Sequence, residues 1–283
     1  MAQFKKNSRN ERMIYSVITV LVILAGIITG VWIGQNRQLM INKIPDNAHT
    51  TTSAEAKETP IYFVETNEKK LSISFDAAWG CEHTQTILDT LAAHNVKATF
   101  FLTNIWLEEY PDMAKTIADA GHEIAMHSVS HPHMPELSTS QMQEELQGNY
   151  DLIVETTQYK PELFRFPFGD YNNQSIRVVR ENGYYPVQWS IDSLDWRESN
   201  TTEDIVNRVI MGLHPGAIIL CHNNGTHTAD AIAEILPYAM EQGYTFVPIG
   251  ELIYKGDYMT DHQGMQKKCE DSIHDENLGE TEE

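Results

Sequence analysis

The sequence predicts an α/β fold of parallel strands, closed or partly closed into a barrel. Short apolar or β-branched runs recur at Leu71–Phe75, Ala98–Thr103, His122–Met126, Glu162–Phe166, Tyr184–Ser190, Ala217–Cys221 and Tyr244–Val247, with amphipathic segments of helical spacing between them. Each connection is long enough to hold a crossover helix, so successive strands run parallel. No G-x-G-x-x-G follows the first strand and no G-x-x-x-x-G-K-[ST] occurs, so a bound nucleotide is not expected and the barrel is favoured over the open doubly wound sheet.

The helices follow from local signals. In Thr84–His94, Ile87, Leu88 and Leu91 share one face. The next helix begins at Pro111 and stops at Gly121, a natural left-handed C-terminal residue. Ser138-Thr-Ser-Gln141 has the form of a capping box and opens a long helix. Gly183 and Gly243 close two later helices.

The ends read differently. Met13–Gly34 is uncharged and rich in Leu, Ile and Val, and ~20 such residues cross a ~30 Å hydrocarbon layer as a helix. Lys5, Lys6, Arg9 and Arg12 precede it. This asymmetry predicts a cytoplasmic N-terminus (1–12), an uncleaved signal-anchor helix (13–34) and the remaining chain outside the cell membrane. Residues 35–66, polar and without apolar periodicity, read as an extracellular linker. The globular domain is expected over 67–256, and 257–283 as an acidic, disordered tail.

Composition narrows the function. Twenty Lys+Arg against 40 Asp+Glu give a formal charge of −20, which argues against a nucleic-acid partner. Three cysteines cannot build a disulfide framework. A hydrophobic content of 41% supplies a sizeable core.

In parallel α/β folds the C-terminal strand ends build the site, and here those ends read Asp76, Asn104, His127, Arg165, Asp192 and His222. His127-Ser-Val-Ser-His131 places two imidazoles four residues apart; on a helical turn both share one face and one metal ion. His133 beside them leaves an ordinary His-rich turn as the plainer alternative. Asp76 ends a buried-looking strand, as a metal ligand, a proton acceptor or a simple strand terminator. Arg165 lies among aromatic residues, where a guanidinium can fix a carboxylate or merely cover Phe rings. His222 emerges from the apolar Ala217–Cys221, as a core histidine or a general acid. Asp195 can orient that ring, and the Trp196 indole can wall an acyl or sugar group.

Five motifs, in order over about Leu71–Tyr254, resemble the polysaccharide deacetylases with a NodB homology domain, carbohydrate esterase family four. These are Ser74-Phe-Asp-Ala-Ala-Trp-Gly80, His127 with His131, Arg165 to Asp170, Asp195-Trp196, and Leu220 with His222. The resemblance implies a distorted, incomplete (β/α) barrel that removes N-acetyl groups from amino sugars of a cell-wall glycan such as peptidoglycan. It implies Asp76 as base, His222 as acid, Arg165 and Asp195 as their orienting partners, and a divalent metal, usually zinc, on His127 and His131. Trp79, Phe168, Tyr171, Trp196 and Leu220 are then expected to line the sugar site. The family's second aspartate in the first motif is replaced by Ala77; FDAAWG in this respect is similar to a sporulation-associated subgroup. Metal binding then rests on two imidazoles and water, or on Glu82 or His83 as replacements. The alternatives are a glycan-binding protein that keeps the groove without turnover, and a glycosidase using Asp76 with Asp192 or Asp195.

Overall fold

The computed structural model describes residues 56–269. The expected cytoplasmic segment and signal-anchor helix lie outside the described residues, as do the linker up to residue 55 and the chain from 270 on. Among the described residues no helix is long and apolar enough to cross a membrane.

Eleven strands occur among the described residues, β1 (Phe63–Val64), β2 (Lys70–Ala77), β3 (Thr99–Leu102), β4 (Glu123–Met126), β5 (Leu163–Phe164), β6 (Tyr185–Pro186), β7 (Ile191–Asp192), β8 (Ile218–His222), β9 (Thr245–Phe246), β10 (Tyr258–Thr260) and β11 (Met265–Lys268). The main sheet has the order β6-β5-β4-β3-β2-β8-β7, with β9 on the start of β2, and every pair in it is parallel. It is a half-barrel. Helices α1 (Thr84–Ala93), α2 (Asn104–Glu109), α3 (Pro111–Asp119), α4 (Thr139–Thr157), α5 (Asn173–Glu181), α6 (Thr202–Gly212), α7 (Thr228–Glu241) and α8 (Ile249–Leu252) connect the strands.

Strand β2 shows how the sequence sets the layers. Its alternate residues Leu71, Ile73, Phe75 and Ala77 join the large apolar core that also takes Ile87, Leu88 and Leu91 of α1. A second, smaller core of Ile61, Phe101, Ala125, Leu163, Val187 and Ile218 fills the half-barrel. After the exposed Lys70, the other residues of β2 are small or ionisable, Ser72, Ser74 and Asp76, and all three are buried. A central strand of a parallel sheet is covered on both faces, so these polar groups need partners. Ser72 donates to the Val247 carbonyl at 2.6 Å and Ser74 to that of Ile219 at 2.8 Å.

The helix signals hold. Both reciprocal bonds of the Ser138/Gln141 capping box are present, and Gly121 sits at φ 76° after α3. Of the segment Tyr184–Ser190, predicted as one strand, only Tyr185–Pro186 is a strand, and a separate strand follows at Ile191–Asp192. Tyr185–Pro186 lies at one edge of the sheet and Ile191–Asp192 at the other. The chain between them bridges to Ile61, with Gln188 N donating to the Ile61 carbonyl at 2.7 Å. Pro186 has no amide hydrogen, which suits it to a sheet edge.

Both predicted domain boundaries move outward. Ile61 and Val64, assigned to the linker, are buried. Residues 257–268, assigned to the acidic tail, form β10 and β11, and β11 pairs with β1 through Phe63↔Met265 and Val64↔Gln266. The buried Gln266 amide accepts from Tyr254 N at 2.9 Å and donates to Tyr254 O at 2.8 Å. Acidic residues are dense only from Glu270 onward, and averaging composition over the whole tail hid the strand pair.

Candidate active site

The C-terminal ends of β2, β4, β7 and β8 open onto a pocket of about 580 Å³ that takes in Asp76, His127, Asp192 and His222, with His131 and Asp195 from the loops. Trp79, Phe168, Trp196 and Leu220 wall it. A larger hollow of about 910 Å³ between Arg180, Tyr184 and Tyr258 contains none of these groups.

Arg165 follows β5 and is fully buried beneath Asp76. Its Nη1 donates to Asp76 Oδ1 at 2.6 Å and to Ser74 Oγ at 2.9 Å, and its Nη2 to the Gln188 carbonyl at 3.0 Å. The guanidinium lies 3.9 Å from the centre of the Phe101 ring. Burial pushes the Asp76 carboxyl up, but the charge of Arg165 and its hydrogen bond outweigh it and hold the group below the ordinary carboxylate range. Asp76 is thus kept ionised in a nearly closed site.

His222, at the end of β8, faces Asp76 across the strand pair β2–β8. Its Nδ1 lies 2.7 Å from Asp195 Oδ1, while Asp195 Oδ2 accepts from His222 N at 2.7 Å and from Thr228 Oγ1 at 2.6 Å. Burial lowers the pKa of this imidazole, but the hydrogen bond and charge of Asp195 raise it further, for a net upward shift. With Nδ1 taken by Asp195, Nε2 is the nitrogen left for the pocket. Asp195 is committed to this ring and Asp76 to Arg165, while Asp192, also in the pocket, accepts from Leu194 N at 2.9 Å.

His127 and His131 come together, with ring centres 4.9 Å apart. The predicted helical turn is absent. Ser128 and His131 adopt φ 78° and 55°, and α4 imposes this loop. Asn149 Oδ1 accepts from His127 N at 2.9 Å and Ser128 N at 3.1 Å, and Glu145 Oε2 accepts from Val129 N and Ser130 N, each at 2.8 Å. Gly148 lies between them, and a Cβ there would stand 2.9 Å from Val129 Cγ2. Asn149 and Glu145 escaped the sequence reading. The signal available was a glycine beside an asparagine, one helical turn from a glutamate, inside a helix that otherwise has no need of a glycine.

His127 Nδ1 lies 2.9 Å from the Arg165 carbonyl, which fixes its hydrogen there and leaves Nε2 as a lone pair 3.5 Å from Asp76 Oδ2. His131 Nδ1 is buried without a partner among the described residues. Burial holds both imidazoles below the ordinary histidine range, His131 down to about 3. Two neutral imidazoles are suited to ligate a cation, but no group of three His, Cys, Asp or Glu side chains able to hold a metal occurs among the described residues. Ala77 turns its methyl into the main core, and neither Glu82 nor His83 lines the pocket. The donors present therefore do not fit a zinc site with three protein ligands.

Two further expectations are corrected. Tyr171 does not line the pocket; it packs on Phe166 and its hydroxyl meets that of Tyr62 at 3.1 Å. Asn104 is structural, its Oδ1 accepting from Asn149 Nδ2 at 2.8 Å and its Nδ2 donating to the Gly148 carbonyl at 3.1 Å.

Comparison with known proteins agrees with this geometry. The family profile described as polysaccharide deacetylase matches residues 63–187. A peptidoglycan-N-acetylglucosamine deacetylase of Bacillus cereus is 31% identical over 221 residues, covering 73% of this chain and 80% of that protein. The peptidoglycan-N-acetylmuramic acid deacetylase PdaA of Bacillus subtilis is 30% identical over 214 residues, covering 75% and 81%. Among solved structures, a pseudoenzyme of carbohydrate esterase family 4 from Bacillus anthracis superimposes with a TM-score of 0.66 at 33% identity, over 70% of this chain and 69% of that one. By its motifs, its half-barrel and these relatives, the chain belongs to the polysaccharide deacetylase family.

Proposed function

We propose that the pocket takes an N-acetylated amino sugar of a peptidoglycan-like glycan and carries the acid and base for its hydrolytic N-deacetylation. The observation that supports this best is the pairing of an ionised, Arg165-held Asp76 with an Asp195-held His222 across one pocket. Asp76 accepts the proton of the attacking water, and His222, charged through its upward shift, gives one to the leaving amine. Trp79 and Trp196, each about half exposed, and buried Leu220 supply apolar walls for the sugar and its acetyl methyl. We include in the proposal an uncleaved anchor over residues 13–34 that leaves the domain outside the cell membrane, supported by the lysine and arginine excess ahead of the apolar run.

Ala77 supports a second reading, a glycan-binding protein with weak or no turnover. With two imidazoles as the protein donors among the described residues, a catalytic zinc has one ligand fewer than such sites use, and one similar structure is that of a pseudoenzyme. Acetate release from peptidoglycan and from acetylated chito-oligosaccharide, measured with and without added zinc, separates the two. Turnover that is lost in Asp76→Asn supports the enzyme. Glycan binding without acetate release at saturating zinc supports the binder. A chain that neither binds nor turns over either glycan refutes both.

A further inference from the structure

The Asp195 side chain has no exposed surface, and three groups engage its carboxylate. Two belong to His222, the residue it orients: the ring Nδ1 meets Oδ1 and the backbone N donates to Oδ2, each at 2.7 Å. These two contacts alone would let Asp195 and the ring swing as a pair. The third contact comes from elsewhere in the fold. Thr228, the first residue of α7, donates from Oγ1 to Asp195 Oδ2 at 2.6 Å. Thr228 is fully buried, and Ala231, Ile232, Ile235 and Leu236 seat its helix in the main core, so the hydroxyl is carried by a rigid element. The loop that brings Asp195 here needs such a hold. Leu194 adopts φ 54°, a conformation that costs a bulky residue ~1 kcal/mol or more and persists only where the surroundings impose it.

Gly225 supplies the room for this contact. Its backbone is not left-handed, so its conformation does not call for a glycine. A Cβ there would collide with Thr228 Oγ1 and stand 3.0 Å from the Asp195 carbonyl and 3.3 Å from Asp195 Oδ2. A side chain is thus missing where the hydroxyl reaches the carboxylate.

We propose that Thr228, in the slot that Gly225 keeps open, is a positioning residue for His222. Its hydroxyl anchors Asp195 to α7. Asp195 in turn keeps the hydrogen of the neutral ring on Nδ1, so that Nε2 stays turned to the pocket. The positioning is a property of the fold, and its use in catalysis rests on the reading of His222 as the acid.

The test is NMR of the full-length chain with its histidines labelled in nitrogen-15, at a pH high enough to leave the His222 ring neutral. The ring nitrogen shifts then report which nitrogen carries the hydrogen. Wild type shows a single form, protonated on Nδ1. Thr228→Val puts a methyl where the hydroxyl stood, and carbon does not approach oxygen to 2.6 Å. The carboxylate is displaced and a second ring form, protonated on Nε2, appears. Gly225→Ala, with Thr228 intact, produces the same second form. Thr228→Ser keeps the hydroxyl, loses only the methyl, and retains the single form. In an acetate assay Thr228→Val and Gly225→Ala lower kcat about tenfold at unchanged KM, and Thr228→Ser does not. A mixture of ring forms in wild type overturns the positioning, as does a single Nδ1-protonated form in either disruptive variant or a Thr228→Ser spectrum that matches Thr228→Val. Should one disruptive variant fail to fold, the other decides together with Thr228→Ser. A second ring form without any loss of acetate release overturns the acid reading of His222 and leaves the positioning intact.

Discussion

Arg165 Nη1 and Asp76 Oδ1 lie 2.6 Å apart, with the guanidinium fully buried and Asp76 nearly so. A buried pair of this kind is costly to break from one side, because the remaining charge has no water to turn to. Arg165→Met is expected to destabilise the fold by about 3–5 kcal/mol, read as a lowered urea midpoint. Adding Asp76→Asn to that variant is expected to recover part of the loss. Strict additivity of the two substitutions would contradict the coupling.

His222 and Asp195 make a directional prediction. Because the folded pKa of His222 is raised, its contribution to stability is fully present below the unfolded value near 6.5 and is lost as pH rises through the folded one. Asp195→Asn is therefore expected to cost more stability at pH 6 than at pH 9. In an NMR titration the His222 ring is expected to titrate above the ordinary histidine range in wild type and at a lower pH in the variant. An unshifted His222 in wild type would remove the basis for the acid role proposed for it.

His122 behaves in the opposite sense. It is buried beneath the sheet, Ala98 N donates to its Nδ1 at 3.1 Å, and burial pushes its pKa down to about 4. Between about 4 and 6.5 the unfolded chain binds the extra proton, so stability rises with pH across that window, by on the order of 2 kcal/mol from this ring. Equilibrium urea unfolding from pH 4 to 7 should show the rise, and His122→Gln should flatten it.

Gly148 permits α4 to approach the histidine loop. Gly148→Ala would gain about 1 kcal/mol in helix propensity, but its methyl would press on Val129 Cγ2 at 2.9 Å. We expect a net loss of about 1–3 kcal/mol, with NMR shift changes concentrated at His127 and His131. A more stable variant with unchanged histidine signals would show that the close approach has no structural consequence.

Much of this architecture was legible because periodicity and capping act locally. Ile87, Leu88 and Leu91 mark a buried helical face, and Ser138 with Gln141 marks a helix start, whatever the rest of the chain does. Asp76, His127 and His222 were legible as strand-end residues, because parallel topology brings such ends together. What escaped depends on distant partners. The break between Pro186 and Ile191 follows from pairing with Ile61, more than 120 residues away. The loop conformation at Ser128 follows from acceptors on α4. Tyr171 carried no local sign that its hydroxyl would meet Tyr62 instead of the pocket.

The pairing of β1 with β11 ties residue 63 to residue 265. This clasp sets where the domain can be cut. A recombinant fragment stopped at Tyr254 would strip β1 of its neighbour, unseal the Ile61 and Val64 side of the inner core, and free the bridge that carries Gln188 toward Arg165. Trimming a stretch that looks like a dispensable extension would thereby loosen the cation beneath the Asp76 carboxylate, itself some 180 residues upstream of the cut. An inert truncated protein would then report a construction fault, with no bearing on whether the intact chain turns over a glycan.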